Sequence, residues 1–296
     1  MSRGYSEDAI VEQPIMDILS TDLGWEVANV FKEETFGVSG TIGRDSRADS
    51  LLKHRFLKAI KALNPELPEI ALKNAFEVIN SKDITKKLAE INLQKYGYLK
   101  DGIPVNYKDE DGNVIQQQRV KVFDFDNPEK NDFLAVQQLK LIGRLKGGKR
   151  PDVVGFVNGI PLVFMELKSP TVKLRAAYEN NLKDYKDTIP DIFHCNAVVI
   201  LSNGLENKIG SITSKYEHFS DWKRIDEDEE GVFSLDIIIK GVCEKGRLLD
   251  LFENFILFDT SIGSIVKLVA RNHQFIGVNK AIGHFKESKQ KAKEGL

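Results

Sequence analysis

Arg150-Pro151-Asp152-Val153-Val154-Gly155-Phe156-Val157-Asn158-Gly159-Ile160-Pro161-Leu162-Val163-Phe164-Met165-Glu166-Leu167-Lys168-Ser169-Pro170 holds two almost wholly apolar runs joined by Asn-Gly. Asn-Gly between apolar runs signals a hairpin, because both residues accept the positive φ of a tight turn. Strands lacking polar alternation belong in the middle of a sheet, covered on both faces. Yet the open end of this hairpin carries Asp152 on one strand, and Glu166 and Lys168 on the other. Charges are costly in such a place unless a metal or a substrate uses them.

Two carboxylates and a lysine at one sheet end can hold a divalent cation beside a scissile phosphate, which is metal-dependent nuclease chemistry. Register decides whether they meet. A plain two-residue loop pairs Asp152 with Met165, and Asp152 and Glu166 then point to opposite faces. A three-residue loop, or one bulge, pairs Asp152 with Glu166 and leaves Lys168 one pleat further on the same side. The nuclease reading requires that shifted register. Glu-x-Lys alone is weak evidence, since Glu206-Asn207-Lys208 and Glu287-Ser288-Lys289 also occur. Only Glu166-Leu167-Lys168 lies in a buried-strand context. The bland alternative makes Asp152 a strand cap and Glu166–Lys168 a solvated pair.

A chain of 296 residues with 42% hydrophobic content can bury a sizeable core. Its formal charge of −2 gives no global basic signature, so contact with nucleic acid must come from local patches such as Lys140 to Arg150. Cys195 and Cys243 give neither a disulfide framework nor zinc spacing, and the histidines form no ligand pair. With no signal peptide and no long apolar run, the expectation is a soluble, cytoplasmic protein without membrane contact. Gly143 to Arg150 imitates a phosphate-binding loop. However, it lacks the magnesium-binding Ser/Thr, and Pro151-Asp152 opens a strand where that loop needs a helix.

Periodicity predicts helices over Ser6–Leu19, Leu51–Leu63, Glu69–Asn80, Ser81–Leu93, Leu174–Tyr185 and Leu248–Phe258, with a polar helical tail from His273 to Lys293. Strands are expected over Trp25–Phe31, Val105–Tyr107, Val120–Phe125, Asn196–Leu201 and Val232–Lys240; Phe133–Leu141 fits strand or helix. The fold class is therefore α/β, a mixed central β-sheet flanked by helices, with helical additions at the N-terminus. Asn181 and Tyr185, four apart, share a helix face that can add an amide and a phenol to the site. The competing reading is a surface pair with Tyr185 partly packed on the sheet.

Several ordered segments carry a resemblance: Gly43-Arg44, Leu63-Asn64-Pro65-Glu66-Leu67-Pro68, Asn131-Asp132-Phe133, the hairpin from Arg150 to Pro170, Tyr185 with Ile189-Pro190, Trp222-Lys223, and Arg271-Asn272-His273-Gln274. Across nearly its whole length the chain resembles the N-terminal nuclease region of the R (motor/restriction) subunit of type I restriction enzymes, members of the PD-(D/E)xK nuclease superfamily. The resemblance implies a type I restriction endonuclease that hydrolyses unmodified foreign double-stranded DNA. It makes Asp152 and Glu166 metal-binding carboxylates, with the Leu167 carbonyl as a further Mg²⁺ ligand and Lys168 as the catalytic lysine. The family's Gln-x-x-x-Tyr motif falls on Asn181 and Tyr185; the shorter asparagine is expected to sit farther from the cleft than a glutamine would. An acid from the first helix often completes such sites, and Glu12 is the choice, with Glu7 the substitute. Residues 1–245 then form the endonuclease domain, and 246–296 a helical linker with the first helices of a truncated, helicase-like motor. ATP would serve the full-length parent and not this fragment, and the implied partners are the methyltransferase and specificity subunits. The rivals are a non-catalytic docking module of the same fold and another PD-(D/E)xK nuclease, acting in repair or on RNA.

Overall fold

A computed structural model describes residues 11–109, 111–143, 147–261 and 263–294. In chain order, helix α1 (Gln13–Asp17) runs into a π turn at Ile18–Asp22, followed by β1 (Glu26–Asn29), α2 (Lys53–Leu63), α3 (Glu69–Asn80) and α4 (Leu88–Asp101). A hairpin β2 (Ile103–Lys108) and β3 (Val114–Val120) precedes β4 (Phe133–Gln137) and the short strands β5 (Leu141–Ile142) and β6 (Gly148–Lys149). The quoted stretch forms β7 (Val153–Val157) and β8 (Ile160–Leu167). Helix α5 follows, a π turn at Ala177–Leu182 continued by Lys183–Thr188, and then β9 (Val198–Ser202), β10 (Asn207–Gly210) and β11 (Ser220–Asp221). The chain closes with α6 (Leu235–Cys243), α7 (Lys245–Asn254), a hairpin β12 (Ile256–Asp259) and β13 (Val266–Val269), and α8 (Asn272–Glu294).

A mixed seven-stranded sheet in the order β1-β4-β7-β8-β9-β10-β11 is the centre of the molecule. Strands β7 and β8 lie in its middle, and every residue of both is buried. Their side chains alternate between two cores. Val153, Val157, Val163 and Met165 pack with α1 to α3, α6 and α7, whereas Val154, Phe156 and Phe164 pack with α5. Burial on both faces is why the sequence shows no polar alternation here.

The Asn158-Gly159 turn is itself interior. Both residues have positive φ, +50° and +74°, as a type I′ hairpin turn requires. Asn158 Nδ2 donates to the Val122 carbonyl (2.7 Å) and Asn131 Oδ1 (2.9 Å), and its Oδ1 accepts from the Asp132 N–H (2.7 Å). The Leu52 N–H donates to the Gly159 carbonyl at 2.9 Å, which seats the turn on the start of α2. A side chain at Gly159 would meet the Leu52 carbonyl oxygen at 2.6 Å. Thus the loop holds two residues, and the register shift falls inside the hairpin. Val157 pairs with Ile160 and Phe156 with Pro161, but Gly155 pairs with Val163, Val154 with Phe164 and Val153 with Met165. Leu162 is the extra residue of a β-bulge. Continued one step, this register sets Asp152 against Glu166.

Several expected elements are corrected. Val232–Lys240 is not a strand: Ile238, Ile239, Val242 and Cys243 are buried at helical spacing, and α6 begins at Leu235. The tight fit of Gly241 on the Trp222 indole, where a Cβ would stand 2.2 Å from Nε1, fixes that face. The strand expected at Val120–Phe125 instead occupies Val114–Val120, directly after the Asp111-Gly112-Asn113 turn. The helix expected at Ser81–Leu93 starts at Leu88, where the Glu90 carboxylate accepts from the Lys87 N–H (2.6 Å), and it runs through Gly97 to Asp101. The helix expected to reach Phe258 stops at Asn254, and Ile256–Asp259 pairs as β12. Leu248, Leu249, Leu251, Phe252 and Phe275 share the core of α1 and α2. Fully buried Lys267 on β13 donates to the Asn196 carbonyl (2.5 Å) and Asn92 Oδ1 (3.1 Å), tying this hairpin to α4 and the entry to β9.

Candidate active site

The bulge delivers Asp152, Glu166 and Lys168 to the α5 side of the central hairpin. Asp152 Oδ2 accepts the Leu167 N–H at 2.8 Å, so the acid is held across the strand pair by backbone. Lys168 Nζ donates to Glu166 Oε1 at 2.7 Å and to the Leu167 carbonyl at 2.9 Å. Glu166 is fully buried, and its other oxygen, Oε2, accepts no hydrogen bond. An ionised carboxylate oxygen left so in a protein interior is costly unless a cation meets it.

Electrostatics show the same tension. Burial first, and then the charge of Glu166, push the Asp152 carboxyl up to about 8; Glu12 adds to this. Burial also raises Glu166, although Lys168 works against it. Two crowded carboxylates that resist joint ionisation are the environment a divalent cation relieves. Every donor on offer is oxygen, which suits Mg²⁺. Among the described residues no three His, Cys, Asp or Glu side chains gather closely enough to hold a metal unaided. Two carboxylates with a backbone carbonyl make the fitting set.

Helix α5 covers this face. Asn181 Nδ2 donates to Glu166 Oε1 at 2.6 Å, so the shorter amide does reach a carboxylate of the site. Asn181 lies within the π turn Ala177–Leu182, a widened stretch of helix of the kind that re-aims side chains at functional sites. Tyr185 is buried, stacks edge-on against Phe164 (centroids 5.4 Å apart), and donates its hydroxyl to the Arg150 carbonyl at 3.2 Å. Burial, reinforced by the nearby carboxylates, raises its phenol far above the ordinary range, so it stays a neutral donor.

Glu12 is buried on the other flank, close enough to Asp152 to raise its pKa. Gln137 Nε2 donates to Glu12 Oε2 at 2.8 Å, and Gln138 Nε2 reaches both carboxylate oxygens at 2.9 Å. Glu7 lies outside the described residues. The two glutamines went unnoticed in the sequence. Their only signal is a polar pair closing the apolar run Phe133–Val136. Beside them, Asn29, Phe31, Lys32 and Gln138 line an open cleft of about 580 Å³, with the Arg150 guanidinium 4.7 Å from the centre of the Phe31 ring.

Residues 4–218 match the family model described as the type I restriction enzyme R protein N terminus. The chain is 33% identical over 282 residues to the type I restriction enzyme HindI endonuclease subunit of Haemophilus influenzae, covering 92% of this chain and 26% of that protein. It is 31% identical over 266 residues to the putative type I restriction enzyme MjaIXP endonuclease subunit of Methanocaldococcus jannaschii, covering 81% of this chain and 24% of that one. The chain thus spans about a quarter of the length of these relatives. No described helix is long and apolar enough to cross a membrane. With its α/β core and a family model matching more than half its residues, the chain belongs to the family of type I restriction enzyme R protein N-termini.

Proposed function

We propose that this chain is the Mg²⁺-dependent endonuclease domain of a type I restriction enzyme R subunit. In the whole enzyme it would cut unmodified double-stranded DNA after ATP-driven translocation, in the company of methyltransferase and specificity subunits, in the cytoplasm. The observation that carries the reading is the bulged register, which gathers Asp152, Glu166 and Lys168 on one face, where a buried Glu166 oxygen accepts no hydrogen bond. Asp152, Glu166 and the Leu167 carbonyl would hold the ion, with Glu12 as the further acid. When bound there, Mg²⁺ supplies positive charge to the phosphodiester oxygens and acidity to water.

The chain's own groups do the rest. Lys168, steered by Glu166 Oε1 and the Leu167 carbonyl, places a cation where negative charge develops on the phosphorus oxygens, and it orients the attacking water. Asn181 fixes the Glu166 carboxylate by donating to the oxygen that Lys168 also binds. Tyr185 anchors α5 to the strand entrance at Arg150. Lys32 and Arg150 at the open cleft offer cationic contacts to a DNA backbone.

Asp152→Ala, Glu166→Ala and Lys168→Ala in the assembled enzyme provide the test. Each should cut DNA slower by orders of magnitude, since several kcal/mol of transition-state stabilisation is removed. ATP hydrolysis should stay close to the parental rate. Parental cleavage by all three variants would place the nuclease centre elsewhere.

A further inference from the structure

Consecutive residues of an extended strand point to opposite faces. Gln137 ends β4, so Gln138 should turn its side chain away from the partner of Gln137. It does not: both amides meet the same carboxylate, that of Glu12. The alternation is broken by Gln138 itself, whose φ is +59°, a left-handed conformation uncommon for a residue other than glycine. The same residue donates its backbone N–H to the Asp152 carbonyl at 2.8 Å. One strained residue is therefore tied to Glu12 by its side chain and to Asp152 by its backbone. Asn29 Nδ2 donates to Gln137 Oε1 at 2.8 Å, which turns the Gln137 amide so that its NH₂ faces Glu12.

We infer that Gln138, supported by Gln137, is a positioning residue that holds the Glu12 carboxylate beside Asp152, poised to move onto a cation held by Asp152, Glu166 and the Leu167 carbonyl. The inference rests on the metal-site reading above. Amides suit this task because they donate without adding charge. Once a cation displaces the proton that Asp152 retains, Asp152, Glu166 and Glu12 bring three negative charges against the single positive charge of Lys168, leaving these four groups at the charge that complements a divalent cation. A lysine or arginine in place of Gln138 would fix Glu12 equally well and cancel part of that field.

Strain and aim can be separated by choice of variant. Gln138→Gly accepts the left-handed backbone and removes the amide; Gln138→Asn keeps an amide, on a shorter arm, at a conformation asparagine tolerates. Binding of Mn²⁺ alone to the metal-free chain, followed by electron paramagnetic resonance, gives a readout independent of cleavage, with the urea midpoint as the control for folding. Gln138→Gly should weaken Mn²⁺ binding by about tenfold or more, as loss of an orienting partner behind a ligand does, with the urea midpoint held. Gln138→Asn should recover part of the affinity. In a Glu12→Gln background, Gln138→Gly should add nothing further. Parental Mn²⁺ affinity in Gln138→Gly would overturn the inference, as would a full loss persisting in the Glu12→Gln background. Asp152→Asn separates the two layers. If it binds Mn²⁺ as the parent does, the metal-site reading fails and takes this inference with it; if it loses binding while Gln138→Gly does not, only the role of Gln138 falls.

Discussion

Asp152→Asn should make the metal-free protein more stable while making it inactive. The side chain keeps its shape and keeps an oxygen for the Leu167 N–H, so the change removes little beyond an ionisable proton. Burial, with the charge of Glu166 behind it, moves the Asp152 carboxyl from 3.8 to about 8. The folded chain therefore retains a proton that the unfolded chain gives up between those values. Stability falls as pH rises through that window and is level above it. At neutral pH roughly three of those pH units have been crossed, worth about 4 kcal/mol at about 1.4 kcal/mol per unit. Relaxation and water entering the site bring the expected gain for asparagine to about 1–3 kcal/mol. Urea unfolding in chelator at about pH 5, 7 and 9 reads this directly. The variant's advantage should be smallest at the acid end and grow toward the alkaline end. Millimolar Mg²⁺ should raise the parent's midpoint and leave that of Asp152→Asn in place. A variant no more stable than the parent at neutral pH, with the parent's pH slope intact, would refute the view of Asp152 as a strained acid awaiting a cation.

Two further outcomes test the frame that holds the site. Gly159→Ala should cost about 3 kcal/mol or more, because its Cβ would meet backbone atoms of Leu52 and Phe56 at 2.6 and 2.8 Å in a left-handed conformation; a loss in urea midpoint equivalent to less than about 1 kcal/mol would show that the turn is not pinned. Burial lowers Lys267 from 10.5 to about 7, so the unfolded chain binds the extra proton between those values and the parent's stability should climb with pH across that interval. Lys267→Met should flatten a slope of up to about 1.4 kcal/mol per pH unit in urea melts, and an unchanged slope would assign it to another group.

How much of this was legible in the sequence follows the range of the interactions involved. The hairpin and its burial on both faces could be read from an unbroken apolar run around Asn-Gly, since that pattern is local. So could the need for a shifted register, because parity alone demands it once Asp152 and Glu166 are to share a face. Where the shift occurs was hidden, for Leu162 looks like its neighbours. Its location is decided by residues far away in sequence, Leu52, Val122 and Asn131, which clamp the turn. Asn181 was judged by the length of its stem, whereas the π turn beneath it sets its reach. Gln138 was invisible for a similar reason: its part depends on a backbone angle, and a glutamine leaving an apolar strand looks like an ordinary exit to solvent. Val232–Lys240 failed as a strand because a short apolar run has no decisive period until the element it packs on, here Trp222, is known.

The odd residue at Leu162 also decides which changes of length this hairpin would survive. Thirteen residues separate Asp152 from Glu166, an odd number, and a two-residue turn sets two strand residues opposite each other only across an even one. The bulge absorbs the surplus. Deleting Leu162 would therefore leave a regular hairpin in which the two acids still face each other. Deleting Val153 or Val154 with the bulge in place would instead set Asp152 against Met165 and turn the acids to opposite faces. Both shortened chains would show Asp, Glu and Lys intact and the same spacing between them, and only the place of the loss would tell them apart.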